Sequence, residues 1–314
     1  MNEALKAGYV AIIGRPNAGK STLLNAVLQA QISIVTPKAQ TTRDRVMGIL
    51  SEDRGQVVFV DTPGIHRARV GGINHYMVNE AREALDSPNL VWYIVDPSSA
   101  LEHESAVLEL LDHAKVPVFM LINKMDWVGK KIPLSVIDSL EQTLTENMKE
   151  RGIDVRSSQR ISALAKDGLK DLLDQSWAYI PEGPPFYPDL DQISDRPTRF
   201  FVAEKIRERL FYLLGDEVPY SCAIEIENFD EKSKPPRIEA IIHVERDSQK
   251  GIVIGQGGKK IKDIGTSARK EIEDFLGEKI FLGLKVKVLK DWSQNAEVLK
   301  RLGYNIAAHR KTKL

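Results

Sequence analysis

The sequence has one cysteine, Cys222, among 314 residues. A single thiol cannot close an internal disulfide or build a cysteine metal cluster, so nothing here argues for an oxidising compartment. Long hydrophobic runs are missing too: no stretch approaches the roughly 18 apolar residues of a membrane span. The segment Met1–Gly14 lacks the basic end, apolar centre and small-residue cleavage site of a signal peptide, which leaves a cytoplasmic setting as the expectation. Internal repeats and low-complexity tracts are absent. The six histidines are scattered and read as surface residues, with His66 and His75 the ones near the motifs below. What remains is a globular composition, 42% hydrophobic and 28% charged, long enough for two domains with separate cores.

Net charge is zero, but it is unevenly spread. Residues 246–314 carry 16 Lys and Arg against 8 Asp and Glu, a surplus of +8 that the rest of the chain balances with −8. A basic end on an acidic body suits an anionic partner, and it also suits a plain solvated surface.

Residues 8–181 alternate between β-rich runs and helical stretches. Strand candidates are Tyr9–Ile13, Val57–Asp61, Leu90–Asp96 and Val116–Asn123, with helices such as Lys20–Leu28 and Ser105–His113 between them. This order predicts a mostly parallel α/β sheet with helices on both faces and binding loops at the carboxyl ends of its strands. Pro181–Pro188 then places four prolines in eight residues, the pattern of a stiff extended linker. Beyond it lie a helix signal at Arg199–Leu214 and strand candidates at Ala223–Glu227 and Arg237–Glu245. A helix pair broken at Gly255–Gly258 and a last strand near Leu284–Leu289 complete the chain. The predicted divisions are a nucleotide domain over 1–181, a linker over 182–198, an α+β domain over 199–304 and a basic tail over 305–314.

Gly14-Arg-Pro-Asn-Ala-Gly19-Lys20-Ser21 matches the phosphate-loop pattern G-x-x-x-x-G-K-[ST], between a strand and a helix. Backbone N–H groups there face an anion at a helix N-terminus. Lys20 would neutralise the outer phosphates, and the Ser21 hydroxyl would ligate Mg²⁺. An ordinary glycine turn is the plain alternative, disfavoured by the strand–turn–helix context. Asp61-Thr-Pro-Gly64 ends the next apolar strand, with Asp61 placed for Mg²⁺ and the Gly64 N–H for a γ-phosphate. Asn123-Lys124-Met-Asp126 ends another. The Asp126 carboxylate can accept two N–H groups of guanine that adenine does not offer, which selects GTP over ATP. Ser162-Ala163-Leu164 ends the following strand, with the Ala163 N–H set for guanine O6. Gln40-Thr-Thr-Arg43 lies in a polar loop, where a threonine is expected to complete the Mg²⁺ shell when γ-phosphate is present. Thr42 is preferred to Thr41. In this order, these five segments resemble the motifs of translation-factor-like GTPases.

Small signalling GTPases orient the attacking water with a glutamine directly after the D-x-x-G glycine. Ile65 occupies that position, so a low intrinsic rate is expected. By resemblance to potassium-activated GTPases, Asn17 would help hold K⁺ against the phosphates. Arg43 or a partner's arginine is the alternative source of positive charge, and Asn17 acting only on loop shape remains open.

Val253-Ile-Gly255-Gln256-Gly257-Gly258-Lys259-Lys260-Ile-Lys262 is a GXXG loop between apolar positions at helical spacing. KH domains use such a loop to clamp about four nucleotides of single-stranded nucleic acid. Lys259, Lys260 and Lys262 add positive charge there. The order helix, strand, strand, helix, helix, strand suits a type II KH domain.

From about Gly8 to Tyr304 the chain resembles the Era family, bacterial GTPases with a C-terminal KH domain. The resemblance rests on Gly14-Arg-Pro-Asn-Ala-Gly-Lys-Ser-Thr22, Lys38-Ala-Gln-Thr-Thr-Arg43, Asp61–Gly64, Asn123–Asp126 and Val253–Gly258, with Leu214–Tyr220 and Leu302-Gly-Tyr304 also family-like. Ala18 stands where the family more often has valine. The resemblance implies GTP and GDP as ligands and binding to the 3′ end of 16S rRNA. It further implies a role in assembling the small (30S) subunit, a monomeric chain and a peripheral association with the inner membrane. Two other readings stay open: an RNA-binding module that keeps GTP as a structural ligand, and a GTPase whose basic end binds anionic lipid.

Overall fold

The structure, a computed structural model, describes residues 4–65, 72–112, 114–215 and 217–304. The expected tail 305–314 and His66 lie outside the described residues. The chain divides into two compact units, one of Met1–Ala68 with Met77–Arg196 and one of Arg69–Tyr76 with Pro197–Leu314.

The first unit runs β1 (Lys6–Gly14), α1 (Lys20–Leu28), β2 (Val46–Glu52), β3 (Gly55–Asp61), α2 (Gly72–Glu83, whose second half lies in this unit), β4 (Leu90–Val95), α3 (Ser105–Leu111), β5 (Val118–Ile122), α4 (Leu134–Glu150), β6 (Val155–Arg160) and α5 (Leu169–Ser176). Its six strands lie in the order β2-β3-β1-β4-β5-β6, all neighbours parallel except the antiparallel β2–β3 pair. Strands β3 and β4 are buried along their whole length, as their unbroken apolar runs require of a sheet covered on both faces. The edge strand β6 alternates half-buried and exposed positions. Helix α4 turns Ile137, Leu140, Leu144 and Met148 inward, one stripe at helical spacing that seals the β4–β5 side. Because β1 sits between β3 and β4, the order reverses beside it, and its carboxyl end opens the crevice where ligands bind in such sheets.

The proline-rich segment differs from a free linker. Its Pro181 carbonyl accepts the Ala7 N–H at 3.0 Å, and Gly183 N–H donates to Leu5 O at 2.9 Å. Tyr187 exchanges bonds with the Gln56 amide at 2.9 and 3.1 Å, and Phe186 stacks on Tyr9 with centroids 4.7 Å apart. Farther along, Ile193 O accepts from Ile49 N–H at 2.9 Å and Ser194 Oγ donates to Met47 O at 2.6 Å. Prolines keep the segment extended, and its partners are backbone groups left open at the start of β1, the Gln56 side chain on β3 and, at Ile193 and Ser194, the open edge of β2. The boundary between units therefore falls at Arg196/Pro197.

The second unit contains α6 (Thr198–Leu213), β7 (Ala223–Asp230), β8 (Arg237–Val244), α7 (Asp247–Ile254), α8 (Lys259–Leu276), β9 (Phe281–Val288) and α9 (Ala296–Arg301). Its sheet is ordered β7-β8-β9, with β7–β8 antiparallel and β8–β9 parallel. Alternate residues of β8, Ile238, Ala240, Ile242 and Val244, point to one face and pack under Ile206, Leu210, Ile264 and Ala268 of α6 and α8. This is the α/β phosphate-loop unit followed by an α+β KH unit that the element order predicted.

Candidate functional site

The phosphate loop leaves β1 at Gly14 and enters α1 at Lys20. Asn17 and Gly19 take left-handed backbone angles, φ 62° and 106°. Gly64 has to be glycine for a different reason: a Cβ there would lie 2.6 Å from Pro16 Cα, so the loop and the Asp61–Gly64 segment could not close on each other. Lys20 is 6% exposed and donates to the Gly14 carbonyl at 3.1 Å and the Arg15 carbonyl at 2.8 Å. Burial pulls its pKa down to about 8, against the opposing pull of Asp61 and Glu104.

Three sequence-predicted metal ligands converge. Ser21 Oγ donates to Asp61 Oδ2 at 2.7 Å and stands 3.0 Å from Thr42 Oγ1. Asp61 is fully buried, its other oxygen Oδ1 has no hydrogen-bond partner, and burial raises its pKa despite Lys20, Ser21 and Ser33 nearby. Thr41 turns away: its hydroxyl donates to Lys38 O at 2.9 Å and lies 2.7 Å from Thr36 Oγ1. Asn17 Nδ2 donates to Pro37 O at 3.2 Å. Ile65 is buried in the core, with its N–H on Gly14 O at 3.2 Å, and Arg43 is 4% exposed.

A cavity of about 430 Å³ lies here, lined by Asn17, Gly19, Lys20, Ser21, Thr22, Thr41, Thr42, Gly64 and Lys124 among others. Asp96, Ser98 and Trp127, which the sequence reading did not single out, line it as well. Lys124 is held there by Asp96 at 2.5 Å and by the Trp127 ring, 4.7 Å from its Nζ. An aspartate closing the apolar strand Leu90–Val95 was the available signal for Asp96.

Asn123 knits the base side together. Its Nδ2 donates to Ala18 O at 2.8 Å, and its Oδ1 accepts the Ala163 N–H at 2.9 Å. The Ala163 N–H, expected on guanine O6, is thus used internally, because the side-chain oxygen of the nearly buried Asn123 needs a donor of its own. Leu164 next to it is 75% exposed. Asp126 Oδ1 accepts from Ser162 Oγ at 2.6 Å, which fixes the carboxylate's orientation.

In the second unit, Gly255, Gly257 and Gly258 have φ of 71°, 60° and 76°, and a Cβ on Gly257 or Gly258 would meet nothing within 4 Å. The turn therefore presents bare backbone at the N-terminus of α8, where the helix dipole favours anions. Gln256, Lys259 and Lys262 are exposed. Lys260 departs from the expected outward role: it is half-buried and donates to Leu213 O at 3.3 Å, capping the carboxyl end of α6. A groove of about 290 Å³ continues from the turn between α8 and β9, lined by Ile261, Lys262, Thr266, Arg269, Leu282 and Leu284. Thr266 and Arg269 were missed in the sequence, although the spacing from Lys262 puts all three on one helical face. Among the described residues no group of three or more His, Cys, Asp or Glu is placed to hold a metal.

Comparison with known proteins gives concordant results. Residues 9–124 match the family described as 50S ribosome-binding GTPase, and residues 217–293 match the KH domain. The chain is 44% identical to GTPase Era of Geotalea uraniireducens over 95% of its own length and 98% of that protein's. It is similar to a crystal structure of a single-residue variant of Aquifex aeolicus Era bound to GDP·AlF4⁻, with TM-score 0.88 and 35% identity, covering 96% of this chain and all of that one. A structure of Era with MgGDPNP and nucleotides 1506–1542 of 16S ribosomal RNA gives 0.87 at the same identity and coverage.

Proposed function

Since this chain belongs to the Era family and is a GTPase with a KH domain, we propose that it binds the 3′ end of 16S rRNA through that domain and assists 30S assembly under control of its nucleotide. The observation that carries this reading is the open GXXG turn: a bare, left-handed backbone at a helix N-terminus, continued by a groove with Lys262 and Arg269 on its rim. A relative has been solved on the matching RNA.

Within the first unit the residues fit a Mg²⁺–GTP complex. Two hydroxyls, Ser21 and Thr42, and the buried, half-unpartnered Asp61 carboxylate form a hard oxygen donor set. Bound there, Mg²⁺ would neutralise charge on the outer phosphates. Lys20 exchanges its two loop carbonyls for phosphate oxygens. The Gly64 backbone addresses the γ-phosphate, and Asp126 reads the guanine edge. With Ala163 N–H committed to Asn123, the Leu164 N–H is the next donor toward the base. Ile65 offers no hydrogen bond to water, so intrinsic turnover is slow. Asn17, whose Nδ2 is taken by Pro37, keeps its side-chain oxygen for a K⁺ ion that supplies positive charge. Replacing K⁺ by Na⁺ then lowers turnover, and equal rates in the two salts remove Asn17 from that role.

In this reading the protein acts as a cytoplasmic monomer on the 30S particle. No described helix is long and apolar enough to cross a membrane, and competition between RNA and acidic vesicles tests a peripheral contact. The deciding experiment measures GTP hydrolysis in K⁺ buffer with and without the 16S 3′-end RNA, beside a Gly257→Asp variant. Stimulation and binding lost in the variant support the reading; wild-type protein that binds no RNA overturns it.

A further inference from the structure

The phosphate loop has a charged attachment that neither nucleotide nor metal explains. Glu104 ends a short 3-10 turn, Leu101–Glu104, just ahead of α3, and is 1% exposed. Its Oε2 accepts a 2.8 Å hydrogen bond from the hydroxyl of Tyr93, a fully buried residue of β4. Its Oε1 is buried without a hydrogen-bond partner, and the Arg15 guanidinium stands 3.8 Å from it. A buried carboxylate with an empty acceptor is costly, and an apolar side chain would fill the same space without that cost. Burial accordingly raises the Glu104 pKa, against the opposing effect of Tyr93 and Arg15.

Arg15 is the second residue of the phosphate loop. Its carbonyl accepts both Lys20 Nζ at 2.8 Å and the Ala18 N–H at 3.3 Å. Pro16, next in the chain, is the surface against which Gly64 closes, and Asn17 follows in its left-handed conformation. Holding the Arg15 side chain therefore steadies the turn on which Lys20, Gly64 and Asn17 depend. We propose that Glu104 is a positioning residue for GTP hydrolysis: its carboxylate, oriented by the Tyr93 hydroxyl, anchors the Arg15 guanidinium and so fixes the turn of the phosphate loop that meets Gly64. Glu104 acts on the geometry of the loop through Arg15, beside the direct pull of its charge on Lys20. Its unfilled oxygen leaves room for the pair to shorten into a hydrogen bond when phosphates load the loop.

Steady-state hydrolysis and nucleotide affinity of Glu104→Gln, Arg15→Gln and the double variant, with melting temperatures, test this. Glutamine keeps the size of Glu104 and still accepts from Tyr93, while Arg15 is partly exposed, so that its replacement leaves the core intact. Each single variant is expected to lower kcat about ten-fold with a much smaller change in GTP affinity, and the double variant is no slower than the slower single one. Arg15→Lys recovers most of the rate beside Glu104 and none when combined with Glu104→Gln. An unchanged kcat in Arg15→Gln overturns the proposal even if Glu104→Gln does not fold. Independent, multiplying effects of the two substitutions overturn it equally, and so does a lowered melting temperature with kcat intact.

Discussion

At the scale of single residues, the chemistry of the site turns on how burial treats charge. Lys20 has its pKa drawn down to about 8 by burial, while Asp61 and Glu104 resist. In the unfolded chain the same amine titrates near 10.4. Between these values the unfolded state binds more protons, so the nucleotide-free protein gains stability as pH rises through that window. Nucleotide binding has the opposite sign, because phosphates require the ammonium form. GDP affinity is therefore expected to be flat up to about pH 8 and to fall roughly ten-fold by pH 9. Calorimetric titration at pH 7, 8 and 9, with melting curves of the empty protein, checks both signs. Thr42 teaches a second lesson. Two adjacent threonines are indistinguishable by composition, and the difference comes from Gln40, whose left-handed φ of 58° turns Thr41 inward and leaves Thr42 beside Ser21. Thr42→Ala is expected to weaken Mg²⁺ affinity of the GTP-analogue complex about ten-fold, and Thr41→Ala to leave it within two-fold; metal titration of the two variants separates them.

At the scale of elements, the strands of the first unit given bounds from the sequence are the central ones, whose apolar runs announce burial on both faces. The edge strand β2 was not picked out, because Val-Met-Gly-Ile-Leu-Ser-Glu shows neither a clean alternation nor a closed apolar run. It is held by its hairpin with β3 and, beyond that, by neighbours that come from far along the chain. On its open side Ile193 and Ser194 pair with its edge. At its start, Arg45 donates to buried Glu80 on α2 at 2.8 Å and to Glu83 at 2.9 Å, while its carbonyl accepts from Arg196 at 2.8 Å. Glu80→Ala leaves a mostly buried guanidinium half-paired and is expected to cost about 2 kcal/mol in urea unfolding, below the range for a fully buried pair since Arg45 keeps some exposure. A first unit cut after Ile180 should melt several degrees below one cut after Arg196, since the shorter form exposes the β2 edge and strips Tyr9 of Phe186. Equal melting temperatures would return the segment to the status of a tether.

At the scale of the whole molecule, the uneven charge becomes meaningful once the +8 end is seen to include the GXXG turn and the helix α8 that follows it. A loop that clamps about four nucleotides predicts a slope of about −3 for log affinity against log salt, to be read from RNA titrations across a range of KCl concentrations; a near-zero slope would leave the basic end without an electrostatic role. What the sequence determined by itself was everything carried by short-range chemistry. A glycine-rich turn between a strand and a helix, an aspartate at the end of an apolar strand, and a GXXG between amphipathic helices each specify local backbone and charge within a few residues. What only the tertiary structure decided were the relations between distant positions. Ala163 meets Asn123, Lys260 caps α6, Glu104 reaches Arg15, and the proline-rich segment bonds to the start of β1 and to Gln56 instead of spanning solvent. Such pairings are set by how strands order and close over a shared core. No local pattern encodes them, because each partner's polar group is satisfied equally well, in isolation, by water.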